Sequence, residues 1–282
     1  LPAESRFAMN PNRRVLPETD FAEHYRRHMR RVGYRPKPSS EWDAKAPALN
    51  RREGGESRYI RALLAAVDWP QNGTLLDVGC GTGALALAAA GRCRHVYCLD
   101  YSPVMLQTLE QNARAAGIAN YSTLLLDKNA DWPQVPHCDT VVCSRAGLDH
   151  DLAALFAKLS KHAAKQVYFS QIVGGRFDLP EISALLGRDR EAFPDYIISA
   201  NILYEMGYDP EIRFIRSEGR WAHCENWQDF QAAATALLSA AAHKASLAWR
   251  GSFFTRASAR SAAERSKQQP IRRISPAPRL RV

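Results

Sequence analysis

At 282 residues, 46% hydrophobic and 24% charged, the chain has the make-up of a protein with one sizeable core and appendages rather than a fibrous or wholly disordered one. No apolar run approaches the roughly 20 residues that cross a bilayer, the first thirty residues are read as lacking a secretory leader, and six cysteines without a CxxC pair exclude a disulfide framework or zinc ribbon and fit a reducing cytoplasm. The net charge of +9 is concentrated at one end: residues 250–282 carry nine Lys/Arg against one acid, which leaves 1–249 nearly neutral at +1.

Residues 1–56 are expected to form an N-terminal helical cap, with one helix near Phe21–Arg31. Within it His24 and His28 stand four apart, a spacing that can hold a metal; no third ligand is evident and four arginines crowd the helix, so no metal is expected. From about Ser57 short apolar runs alternate with amphipathic stretches, the mark of βα units on a mostly parallel sheet. Tyr59–Val67 reads as a helix, and Thr74–Val78 as a buried strand that runs into Gly79-Cys-Gly-Thr-Gly83. A small-residue helix follows over Ala84–Ala90, then a strand over His95–Leu99 that ends at Asp100. Ser102 caps the next helix and Pro103 takes its first position, where a missing N–H costs nothing.

Further strands are predicted at 122–126, 140–143 and 166–170, with a packed helix through Leu152, Leu155, Phe156 and Leu159 before the last of them. A looser stretch with Gly174, Gly175 and Pro180 has the length to shape a substrate pocket. Asp195 then caps a helix closed by Gly207; a hairpin is predicted from 212–215 and 221–224, and an Ala-rich helix over 229–242. The division expected is a cap over 1–56, a catalytic domain over 57–249 and a tail over 250–282. That tail, poor in large apolar residues after Phe254, is expected to be disordered.

The chemistry concentrates at Asp77-Val-Gly-Cys-Gly-Thr-Gly83, where a strand turns into a helix. Glycines 79, 81 and 83 let the backbone turn tightly and approach a ligand without Cβ clashes, and the following helix offers free N–H groups to an anionic group. Asp100, ending the second strand, stands where a carboxylate grips ribose hydroxyls. A dinucleotide meets the spacing of Gly79, Gly81 and Ala84. Yet Asp77 beside a pyrophosphate would repel it, whereas the same charge suits a ligand bearing an ammonium and a sulfonium, so the charge logic favours S-adenosylmethionine.

These segments resemble the Rossmann-like (class I) S-adenosylmethionine-dependent methyltransferase family: LLDVGCGTG at 75–83 is similar to its first motif and CLDYSPVML at 98–106 to its second. The resemblance covers about 57–217 and implies a doubly wound, mostly parallel seven-stranded sheet with its last strand reversed. It implies the methionine amine and carboxylate near Asp77, Gly79, Cys80, Gly81 and Gly83, and the ribose at Asp100 with Tyr101 beside it. Met105 and Asp127 would serve the adenine, and Ser144 and Arg145 would face the methyl end. WDAKA at 42–46 is similar to an element that covers the ligand in many relatives, through Trp42. One departure stands out: Ser144-Arg-Ala-Gly-Leu148 replaces the Asn/Asp-Pro-Pro-Tyr motif of members that methylate adenine or glutamine nitrogens.

What the resemblance implies is an in-line methyl transfer with the protein chiefly orienting the acceptor. His150, flanked by Asp149 and Asp151, is the candidate general base; its bland alternative is a solvated first-turn residue. Cys98 and Cys143 read as small core residues, and Tyr59 and Trp42 as pocket or packing aromatics. The acceptor expected is a small molecule. An RNA methyltransferase using the basic helix and tail, and a non-catalytic S-adenosylmethionine-binding protein, stay open at this stage.

Overall fold

The computed structural model describes residues 18–53, 57–176, 191–216 and 268–274, with isolated positions at 13, 15, 16, 226, 228 and 231. The predicted hairpin strand at 221–224 and helix at 229–242 lie outside the described residues, apart from a helical state at 231. Helix α1 spans Phe21–Arg31; Asp20 caps it by accepting from Glu23 N–H, and His28, Arg30 and Arg31 stand at its negative C-terminal end. Two short helices, α2 (Ser39–Asp43) and α3 (Ala46–Glu53), follow, and α4 (Arg58–Ala66) leads to the first strand.

The alternating part runs β1 (Thr74–Val78), α5 (Ala84–Ala89), β2 (His95–Asp100), α6 (Pro103–Ala115), β3 (Tyr121–Leu125), β4 (Cys138–Cys143), α7 (Leu152–His162) and β5 (Ala163–Ser170). Helix α8 (Tyr196–Glu205) and strand β6 (Glu211–Arg216) come next, and β7 (Gln268–Ile274) last. Strand β1 is buried at every position, as a central strand covered on both faces must be. Ser102 accepts from Met105 N–H and Pro103 occupies the first turn of α6, as its sequence anticipates; Asp195 caps α8 by accepting from Ile197 N–H.

The strand order is β3-β2-β1-β4-β5-β7-β6. Strands β1 to β5 pair in parallel, and β7 runs antiparallel to both β5 and β6. Gln268–Ile274 falls within the segment whose composition predicts disorder; there the structure has a strand, while the rest of 250–282 lies outside the described residues. Averaged composition hid a seven-residue stretch that pairs with a strand on each side.

The pleat sends alternate side chains to opposite faces. Leu76 and Val78 of β1 join Phe156, Leu159 and Phe169 on one face, together with Ala22, Tyr25 and Met29 of α1 and Ile202 and Leu203 of α8. Leu75, Cys98 and Val142 join Tyr59, Leu63, Leu85 and Leu109 on the other. Phe156 and Phe169, both buried, meet edge to face at 4.9 Å, an arrangement worth ~1 kcal/mol beyond its burial. The N-terminal helix is therefore part of the main core. Among the described residues no helix is long and apolar enough to cross a membrane.

Candidate active site

The site forms at the C-terminal ends of β1, β2 and β4, where the glycine turn crosses the top of the sheet. Gly79, Gly81 and Gly83 all have positive φ (73°, 56° and 89°), a region costly for any residue with a Cβ. Gly79 N–H (2.7 Å) and Cys80 N–H (3.1 Å) both donate to Leu99 O, which ties the turn to β2. A Cβ on Gly79 would lie 2.3 Å from the Cβ of Ala146 in the loop after β4. Gly79→Ala thus combines left-handed backbone strain of about 1–2 kcal/mol with overpacking of about 1–3 kcal/mol. It is expected to lower the midpoint of ligand-free thermal unfolding by roughly 5–10 °C; a shift under 2 °C would show that the turn yields freely.

Two acidic side chains flank the turn. Asp100 is 7% exposed; its Oδ2 accepts from Gly81 N–H (2.9 Å) and its Oδ1 from Ser102 N–H (2.9 Å). Burial pushes its pKa up, against the pull of those N–H groups. Asp77 is 2% exposed, and its Oδ2 has no hydrogen-bond partner among the described residues. Burial first, then the charge of Asp100, raises it to about 7, with Arg145 pulling the other way. A buried, unpartnered carboxylate oxygen beside a glycine turn fits a cationic ligand group and does not fit a pyrophosphate.

That elevation has a direction in pH. The folded value of about 7 lies above the ordinary 3.8, so the ligand-free fold holds this proton more tightly than the unfolded chain does. The stability from this group is full below about pH 4 and falls away as pH rises through about 7, by roughly 4 kcal/mol in total. Asp77→Asn should flatten that limb of a denaturation series run from pH 4 to 8. A decline equally steep in the Asn variant would assign it to other groups.

The remaining sequence-predicted residues divide into those on the turn and those held elsewhere. Met105 is buried beneath the turn, its Sδ 4.0 Å from where a Gly81 Cβ would stand. Cys80 is buried against Cys98, and burial raises its thiol well above the usual range, which leaves little thiolate for nucleophilic work. Tyr101 donates its hydroxyl to Lys37 O (2.8 Å), and burial raises its pKa to about 12. Trp42 has the ammonium groups of Lys37 and Lys45 each 5.1 Å from its ring. Asp127 is exposed, and its Oδ1 accepts from Asn129 N–H (2.8 Å) within its own turn.

Ser144 and Arg145 belong to a network that the sequence hides. Tyr59, fully buried on α4, donates its hydroxyl to Ser170 Oγ (2.8 Å) and shares a hydrogen bond of 2.8 Å with Ser144 Oγ. Arg145 has φ 57°, donates its N–H to Ser170 Oγ (2.9 Å) and lays its guanidinium 4.7 Å from the centre of the Tyr59 ring. His150 is exposed and meets Tyr34 edge-on at 4.8 Å. Its neighbours are spent elsewhere: Asp151 caps α7, and Asp149 turns inward to Lys128. Lys128, Tyr34 and Asp43 carry structural weight here; only Asp43, inside WDAKA, had a motif to announce it.

Strand, glycine turn, helix and an acid at the end of the second strand define an α/β domain built for an adenosyl cofactor. A methyltransferase-domain family model matches residues 75–166. An uncharacterized protein of Haemophilus influenzae is 31% identical over 219 residues, 77% of this chain and 82% of that one. A probable cobalt-precorrin-6B C(15)-methyltransferase (decarboxylating) of Methanothermobacter thermautotrophicus is 33% identical over 99 residues, 33% of this chain and half of that one. Among solved structures, a Geobacter sulfurreducens S-adenosylmethionine-dependent methyltransferase with S-adenosyl-L-homocysteine has the same fold: TM-score 0.53, 14% identity, 77% of this chain and 90% of that one covered. The chain belongs to the Rossmann-like (class I) S-adenosylmethionine-dependent methyltransferases, whose methyl donor is S-adenosylmethionine.

Proposed function

We propose that this enzyme transfers a methyl group from S-adenosylmethionine to a small-molecule acceptor by in-line displacement. The observation that carries the reading is the buried, unpartnered Oδ2 of Asp77 beside a left-handed glycine turn, with Asp100 across it. When bound, S-adenosylmethionine supplies an electrophilic methyl on a sulfonium. Asp77 would hold the methionine ammonium, and the turn at Gly79, Cys80, Gly81 and Gly83 would seat the amino-acid end. Asp100 would take the ribose hydroxyls, with Tyr101, Met105 and Asp127 on the adenine side and Trp42 over the ligand. Ser144 and Arg145 would border the methyl end, where the acceptor's lone pair attacks carbon as the bond to sulfur breaks and its electrons return to sulfur. His150, open to solvent at the same sheet edge, would take the acceptor's proton.

In this reading residues 1–56 are the cap, the catalytic domain begins at 57, and β6 with β7 complete its seven-stranded sheet, so the domain takes in 268–274 of the segment expected to be a tail. The preference for a small molecule over RNA rests on charge. Arg26, Arg30 and Arg31 of α1 pair with Glu23, Asp151 and Glu191, which leaves a weak phosphate-binding face. The Methanothermobacter relative is named for a cobalt-precorrin acceptor, which is also a small molecule. Six cysteines without a CxxC pair support the reducing cytoplasm in which we place the enzyme.

Calorimetric titration with S-adenosylmethionine, S-adenosylhomocysteine and NAD tests the reading. Micromolar binding of the first two and none of the third is expected; NAD binding in their place would overturn it. Between pH 5.5 and 7.5 the affinity for S-adenosylmethionine should rise as Asp77 ionises against the ligand's ammonium, and Asp77→Asn should remove that rise.

A further inference from the structure

The N-terminal segment reaches the carboxylate at the end of β2 through a short relay. Asp43, the last residue of α2, accepts through Oδ1 from Ser102 Oγ (2.5 Å) and from Val104 N–H (3.4 Å). Ser102 is fully buried; its Oγ accepts from Met105 N–H (3.1 Å), and its own N–H donates to Asp100 Oδ1 (2.9 Å). A hydroxyl has one proton. By drawing that proton, Asp43 turns the lone pairs of Ser102 toward the first turn of α6. It also satisfies Val104 N–H, one of the donors that a helix leaves open at its start.

Two further ties hold the same segment to the same elements. The side-chain amide of Asn112 donates to Asn50 Oδ1 (2.8 Å) and to Thr82 O in the glycine turn (3.0 Å), and Tyr101 donates to Lys37 O (2.8 Å). Residues 37–50 therefore grip the glycine turn, the end of β2 and the start of α6 together. Asp43 is also a second carboxylate brought near Asp100, an unfavourable placement by charge alone. Its Coulombic effect on Asp100 runs the same way. A position held against repulsion is held for its geometry.

We propose that Asp43 is a positioning residue for the cofactor: through Ser102 it sets the orientation in which Asp100 meets the ribose hydroxyls, and so makes the N-terminal segment part of the binding site. The inference rests on reading Asp100 as the ribose carboxylate. Asp43 touches neither the reacting atoms nor, in this reading, the ligand; it acts through its neighbour.

The test is a double-mutant cycle on the full chain, with S-adenosylhomocysteine affinity measured by calorimetry. Asp43→Ala is expected to weaken binding about tenfold, and Asp43→Asn, whose amide oxygen can accept from the same two donors, by less than about threefold. In an Asp100→Asn background, Asp43→Ala should cost less than about twofold more, because the group it orients is already impaired. If Asp43→Ala does not fold, Asp43→Glu, which displaces the acceptor by one methylene while keeping the charge, replaces it in the same cycle with an expected loss of about fivefold.

The outcomes separate. Full affinity in Asp100→Asn would overturn the ribose reading itself. Weakened Asp100→Asn with an equal Asp43 loss in both backgrounds would leave that reading standing and overturn the positioning role. No loss at Asp43 in either background, or an Asn variant as weak as Ala, would also overturn it.

Discussion

Asp100→Ala is expected to weaken S-adenosylmethionine binding at least a hundredfold at pH 7.5. Each carboxylate oxygen already accepts one backbone N–H, from Gly81 and from Ser102. A carboxylate offers about four lone-pair positions, and after Gly81, Ser102 and a contribution from Tyr101 N–H it would still accept from ribose hydroxyls. Hydrogen bonds to a charged group contribute about 1.5–3 kcal/mol each, and losing two gives roughly 3–6 kcal/mol, or more than a hundredfold in affinity. The same variant removes a buried carboxylate whose ionisation the fold disfavours, and this offsets part of what Gly81 and Ser102 lose. Ligand-free thermal unfolding should therefore move far less than binding. Unchanged affinity with an intact melting transition would remove Asp100 from the ribose role and leave the second motif without its ligand.

The features legible in the sequence are those whose physics is local. A strand running into three glycines requires positive φ within a few residues, and the structure places it at 79, 81 and 83. Ser102-Pro103 and Asp195 announce helix starts because a cap and its N–H lie three residues apart or fewer. What stayed hidden depends on partners far along the chain. Tyr59 reads as a pocket or packing aromatic, yet the partners of its hydroxyl, Ser144 and Ser170, lie more than eighty residues away. The titratable run at 149–151 reads as one cluster, and the fold takes it apart: Asp149 inward to Lys128, His150 out to solvent, Asp151 onto the helix. Helices α2 and α3 are too short to show a period, and their hold on α6 passes through two side chains, Asp43 and Asn50. Strand β7 was hidden by the basic composition around it, since its pairing with β5 and β6 depends on strands more than fifty residues away and leaves no mark on composition.

Lys128→Met should destabilise the fold by roughly 3–5 kcal/mol, an effect on stability as large as the loss of Asp100 is on binding. The ammonium of Lys128 pairs with Asp149 Oδ2, with side chains 15% and 9% exposed, and also donates to Leu148 O (3.0 Å). Tyr25 reaches Asp149 O (2.9 Å) and Tyr34 reaches Leu148 O (2.9 Å), so the loop after β4 hangs from one cation and two phenols. Removing the cation leaves a buried carboxylate that keeps, among the described residues, the Asp151 N–H on its other oxygen. Removing both charges, in Lys128→Met with Asp149→Leu, leaves no uncompensated charge, only the Asp151 N–H without this acceptor, and should recover most of the loss. In thermal unfolding the single variant is expected to fall by roughly 10 °C and the double by less than about half of that. Should the double variant be as unstable as the single one, the loop depends on these side chains for shape rather than for charge balance. Ser144, Arg145 and His150 would then need them in place, and the affinity for S-adenosylhomocysteine should fall in both variants alike.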